Sequence, residues 1–429
     1  MQHRFLTAGL LTSAALALAL ALTTPALAAD AIKIGIVTFL SGPAAGPFGV
    51  PAKISAEMMV EAINAGKVPG VYSKKGFGGK PIEIVIIDEA GGTTKQVEEY
   101  RNLVQRQNVD MVIGYISSGD CLAVAPAAEE LKKFTVLFDC GTPRVFEEAS
   151  YKYVFRTGAH GAMDNIGAAM YINEKIPGIK SYAGINQNYA WGQDSWADWD
   201  ATMKALNPGA QVTTSQMPKL GAGQYGAEIS ALLGSNSQVI HSSLWGGDLE
   251  SFILQAGPRD LFKESVPVFV AGEHVLNRMS AQMPDGAVIG ARGTHGPFAP
   301  DTELNRWFKK TYSDKYLLQP IYASYKMAQA LLGVKSAYEK AQAANGDKEP
   351  SQDQLIAALE NHTWEGPSGK VMMNLGKGHQ ATQGIAFGRV KKVNGKVTLV
   401  DIKHYPAEKV NPPEGVKSVD WIKSGFKAK

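Results

Sequence analysis

Three features of this chain call for an α/β architecture of two successive doubly wound halves. From Ile32 short β-rich runs alternate with amphipathic runs of helical length, the cycle starts afresh after Tyr151, and after Gly290 it gives way to long helices and a closing hairpin. Strands separated by helices pair in parallel, and parallel sheets are covered on both faces.

The first cycle opens with "IKIGIVTF", whose Ile and Val residues favour a strand, and "VPAKISAEMMVEAINAG", long enough for a helix. It continues through "IEIVIIDEA", "TKQVEEYRNLVQRQN", "VDMVIGY", "CLAVAPAAEELKK" and "FTVLFDC". The second cycle runs "GAMDNIGAAMYINEK", "SYAGINQN", "GQDSWADWDATMKAL", "QVTTSQMP", "YGAEISALLGS", "QVIHSSL", "GDLESFILQA" and "VPVFVAGE". Beyond Gly290, "DTELNRWFKKTYSDKY", "PIYASYKMAQALLGVKSAYEKA" and residues 352–360 read as helices. Asn394-Gly395 between two β-rich runs is a hairpin signal, and the tail "NPPEGVKSVDWIKSGFKAK" is expected along the surface.

Ahead of these elements stand Arg4, an apolar run from Leu10 to Leu22, and the small-residue sequence "TTPALAAD". This reads as a secretory signal peptide over residues 1–28, because the apolar run is short for a membrane span and leads straight into an A-x-A site. An exported, periplasmic protein of about 400 residues is expected, ample for two domains with their own cores. Lys and Arg total 43 against 40 Asp and Glu, so no basic footprint for nucleic acid is present. Two cysteines in an oxidising compartment allow one disulfide.

No catalytic set stands out. "GAGQYG", Gly221–Gly226, fits a dinucleotide loop, but a polar, proline-bearing run precedes it and no acid follows at the required distance. "GFGGKP" lacks the Ser or Thr that a phosphate loop needs after Lys80, and no G-x-S-x-G elbow occurs. The eight histidines have no zinc spacing, and His241 and His274 read as structural or lining residues. No metal or cofactor is expected.

The turn "SSGD", Ser117–Asp120, leads from a strand into a helix, where ligands of open α/β sheets sit. Its hydroxyls and helix-entry amides suit a small carboxylate, and they would equally serve as a plain N-cap by Ser118 or Asp120. "FDCGTP" ends the next strand, so Thr142 and the Cys140 backbone are expected close to Ser117. The same neighbourhood would bring Cys121 and Cys140 within disulfide reach, the alternative being two buried thiols.

Taken together, "IKIGIVTFLSGPAAGPFG", "SSGDCLAVAPAAEELKKFTVLFDCGTP", "YAWGQ", "WGGD" and "AGE" resemble the substrate-binding proteins of branched-chain amino acid type ABC importers, the leucine/isoleucine/valine-binding family. The resemblance implies a type I periplasmic binding protein: two lobes with a ligand cleft between them, joined by three crossings near residues 154–158, 294–299 and 383–388. Lobe one is expected from 29–155 plus 297–385, lobe two from 156–296 plus 386–429. Carried over by position, Ser117 or Ser118 and Thr142 bind a carboxylate with Cys140 adding backbone, while Tyr189, Trp191, Trp245 and Phe48 supply aromatic surface. Glu273 matches the ammonium-binding acid. Tryptophan at both far-lobe positions and Cys121 beside the serine turn depart from the amino acid binders.

The expected function is capture of a small carboxylate-bearing ligand, first an amino acid, by a monomeric, non-enzymatic protein that delivers it to permease subunits. An aromatic acid or a short amide such as urea is the alternative ligand. A secreted α/β enzyme is the reading from another class, and it lacks an elbow or cofactor loop.

Overall fold

The computed structural model describes residues 31–394 and 396–427, so the expected leader at 1–28 lies outside the described residues. Two mixed sheets organise the chain. The first has eight strands in the order Thr363–Gly366, Gly369–Leu375, Gln380–Thr382, Val154–Arg156, Thr135–Leu137, Met111–Gly114, Ile32–Thr38 and Ile82–Asp88. The second has seven: Lys396–Tyr405, Ile385–Val393, Val288–Gly290, Val266–Phe269, Val239–Ser242, Ser181–Ile185 and Gln211–Gln216. The alternating segments pair in parallel, as crossover helices require, whereas the late hairpin strands pair antiparallel.

Central strands are apolar on both faces because helices cover both. Ile34, Ile36, Val112, Ile113 and Val136 are all fully buried, each contributing about 1.5–3 kcal/mol over an exposed side chain. Register matters most at one point: Gly114 lies opposite Leu137, which sets the serine turn beside the turn of residues 138–142. A disulfide ties the two, joining Cys121 to Cys140 with the Cα atoms 6.5 Å apart.

The chain passes between the sheets after Arg156, after Gly290 and after Thr382. Helix Tyr322–Ala344 follows the second passage and packs on helix Val50–Ala65 of the first lobe, where Ser55 donates to the Ser324 carbonyl at 2.7 Å. The tail departs from its expected surface course. Helix Ser418–Lys423 packs on helix Ala190–Leu206 and buries Trp421 and Ile422.

Candidate ligand-binding site

The serine turn is built around a carboxyl group that the protein itself supplies. Amides of Ile116 and Ser117 donate to the Glu89 carboxylate at 2.8 and 2.7 Å. To aim them there, Tyr115 takes φ +74°, a left-handed conformation that costs a buried aromatic residue about 1–3 kcal/mol. Burial, with the nearby Asp120 charge, pushes the Glu89 carboxyl well above its ordinary range. Ser117 is the N-cap of helix Ser118–Glu130, accepting from the Asp120 amide.

Ser118 points the other way. Its Oγ accepts the amides of Gly141 and Thr142 at 3.2 and 3.1 Å, which uses both lone pairs and leaves the hydroxyl proton to donate. Beyond it lies an aromatic cavity lined by Phe48, Tyr189, Trp191, Trp245 and Tyr322. Both tryptophans are fixed by their indole N–H groups, Trp191 on the Ser243 carbonyl and Trp245 on the Tyr189 hydroxyl, each at 2.9 Å. Phe48 meets Trp245 and Tyr322 edge-on, with centroids 5.5 and 4.8 Å away. Gly141 is required by space: a Cβ there would fall 2.3 Å from the Trp191 ring and 2.6 Å from Arg292.

Arg292, which the sequence analysis did not single out, occupies this cavity. Its guanidinium carbon lies 4.4 Å from the Trp191 ring centre, Nη1 donates to Asp139 Oδ1 at 2.8 Å, and Nε donates to Asp164 Oδ2 at 3.1 Å. Lys326 adds a second cation on Asp139 Oδ1 at 2.7 Å. Arg292 sits at φ +50° just after strand Val288–Gly290, an uncommon conformation for a side-chain-bearing residue, held here by its two carboxylates. Its Nη2 is buried and has no hydrogen-bond partner among the described residues. Burial pushes the Asp164 carboxyl up to about 6 and the Lys326 ammonium down to about 8. The space left is about 10 Å³ for the centre of a water molecule, room for one water.

Of the sequence-predicted residues, Phe48, Ser118, Tyr189, Trp191 and Trp245 line this cavity. The others do different work. Thr142 donates to Asp194 Oδ2 at 2.6 Å beside the Arg144–Asp194 ion pair, a clasp between the lobes. Cys140 turns its carbonyl to Arg156 Nη1 at 3.0 Å. Glu273 accepts the Tyr322 amide at 2.8 Å, capping a lobe-one helix from lobe two, and burial pushes its carboxyl up to about 8. His274 accepts the Gly246 amide at 2.9 Å and His241 bonds Asn165 at 2.8 Å, both structural. Asp139, Tyr322 and Arg292 were not legible, because three distant segments bring them together and no local motif marks them.

A second, larger chamber of about 420 Å³ lies beyond the Tyr189–Trp245 bond, lined by Phe39, Leu220 and the acids Glu89, Asp120 and Asp248. Tyr189 and Trp245 border both spaces.

A two-lobed α/β fold with an aromatic, charge-bearing cleft defines a class of binding proteins. The chain belongs to the periplasmic binding protein family, whose model it matches over residues 31–396. No curated protein matches it. Among solved structures it is similar to a solute binding protein of an ABC transporter from Rhodopseudomonas palustris BisB5 in complex with 3,4-dihydroxybenzoic acid, at 21% identity and TM-score 0.75 over 88% of this chain and 98% of that one. A second solute binding protein from R. palustris, in complex with benzoate, gives 19% identity and TM-score 0.73 over 90% and 99%. A leucine binding protein from Thermotoga maritima MSB8 gives 18% and 0.70 over 86% and 98%. At these identities the likeness is one of fold.

Proposed function

We propose that this protein is the exported, periplasmic solute-binding component of an ABC importer, capturing a small aromatic carboxylate in the interlobe cleft and delivering it to permease subunits. The observation that carries this reading is Arg292: a buried guanidinium with an unused N–H, lying on the Trp191 face in a cavity walled by aromatic rings. A carboxylate would take Arg292 Nη2 and the Ser118 hydroxyl, and its ring would enter as Trp191, Trp245 and Tyr322 move apart, since the space between them now holds one water. The lobes, 29–155 with 297–385 and 156–296 with 386–429, would close over the ligand about the three crossings, and a ligand favouring the closed state shifts the population toward it.

An amino acid, the first expectation from sequence, shares the carboxylate but also needs an anion for its ammonium. Glu273 is the residue matched to that role, yet it is committed to the Tyr322 amide and its raised pKa favours the neutral form at pH 7. The aromatic acid, bound without catalysis, is therefore the reading adopted. A thermal-shift screen of aromatic acids, amino acids and short amides tests it, since a ligand selective for the folded protein raises its melting temperature. Stabilisation by hydroxybenzoates supports the proposal; stabilisation by amino acids or amides alone rejects it.

A further inference from the structure

A cavity of about 240 Å³ lies apart from the cleft, and no residue lining it lines either cleft chamber. Arg156 forms part of its wall. This arginine is fully buried at the first passage between the lobes, with Nε donating to Gln380 Oε1 at 2.5 Å and Nη1 to the carbonyls of Cys140 and Thr142 at 3.0 and 2.6 Å. Its Nη2 has no partner among the described residues, and neither has Nδ1 of His160, which also lines the cavity.

Lys377 and Lys417 stand exposed on the lining, and the two acids nearby are already engaged. Glu147 accepts the Ser418 amide at 3.0 Å and Glu414 accepts the Lys377 amide at 2.8 Å. The lining thus carries three cations, Arg156, Lys377 and Lys417, against two acids, Glu147 and Glu414. A buried guanidinium N–H facing an unfilled polar space is costly unless something accepts its hydrogen bond.

We propose that this cavity is a second binding site, for a small inorganic oxyanion of the phosphate or sulfate class, seated on Arg156 Nη2 and enclosed by Lys377 and Lys417. Arg156 holds the carbonyls on either side of Gly141, the residue packed against Trp191 and Arg292 in the cleft. The wall of residues 412–417 runs into helix Ser418–Lys423, which packs on lobe two. An anion here joins the two lobes and stiffens the turn behind the ligand.

The test is calorimetric titration of the mature protein, in a zwitterionic buffer free of multivalent anions, with inorganic phosphate and separately with sulfate. One saturable site is expected, weakened at least about tenfold in Lys377→Ala/Lys417→Ala. Arg156→Gln also removes the anchor of the 140–142 turn, so the exposed lysines carry the test. Absence of saturable binding would overturn the proposal, as would phosphate and sulfate binding that is unchanged in the lysine variant.

Discussion

Arg292 and Trp191 lie against each other on the lobe-two side of the cleft, the guanidinium carbon 4.4 Å from the ring centre, while Asp139 and Asp164 hold the same guanidinium from its Nη1 and Nε sides. One side chain thereby carries a charge, an orientation and an unused donor into an aromatic cavity. Arg292→Lys keeps the charge and loses the fixed fork. Affinity for an aromatic carboxylate should fall by about 1.5–3 kcal/mol, roughly ten- to a hundred-fold, in calorimetry. Arg292→Met should in addition destabilise the fold by about 3–5 kcal/mol, since it leaves buried carboxylates uncompensated. Unchanged affinity in the lysine variant would remove Arg292 from the site.

Ser118 and Thr142 were paired in the sequence as carboxylate ligands, and their bonds now separate their expected effects. Ser118→Ala should weaken carboxylates selectively over a neutral amide of the same ring, and should orphan two amides at about 1–3 kcal/mol of stability. Thr142→Ala loosens the Asp194 clasp, so acid and amide should weaken by one common factor. Equal selectivity in the two variants would contradict this division.

Much of the fold was legible and about half of the cleft. Alternating Ile- and Val-rich runs can satisfy their apolar faces only as covered parallel strands, so the two sheets follow from pattern. Trp191 and Trp245 were reached through the family resemblance of "YAWGQ" and "WGGD". Glu89 did not: it closes the serine turn from 27 positions away, so amides that look free in sequence are occupied. Arg292 was hidden for the same reason, since its partners Asp139 and Asp164 lie 153 and 128 positions off.

Glu273 should write itself into the pH dependence of stability. Its folded pKa is raised from 4.5 to about 8 by burial, so the folded protein holds a proton there that the unfolded chain has lost. Its contribution is full below pH 4.5 and is lost as pH rises towards about 8. Other buried acids, including Asp120 and Asp164, titrate within this range, so the comparison with Glu273→Gln isolates it. In thermal melts the wild type should lose stability relative to the variant between pH 5 and 8; parallel curves would refute the assignment.

The Cys121–Cys140 disulfide joins residues 19 positions apart and pins the serine turn to the turn that carries Gly141. Reduction should cost about 3 kcal/mol in the chain-entropy model and lower the melting temperature. Thiol titration of unfolded, unreduced protein should find no free thiol; two per chain would contradict the bond.

The most direct measurement compares 3-phenylpropionate with phenylalanine by calorimetry at pH 7, two ligands that share ring, chain and carboxylate and differ by one ammonium. Glu273 is neutral and held by Tyr322, and the acid lining the Arg292 cavity is Asp139, whose Oδ1 is already shared by Arg292 and Lys326, so an ammonium seated there would face two cations. The account predicts that 3-phenylpropionate binds at one site and at least about tenfold more tightly than phenylalanine. Tighter binding of phenylalanine would show that the cleft recognises an amino acid, and would contradict the central claim.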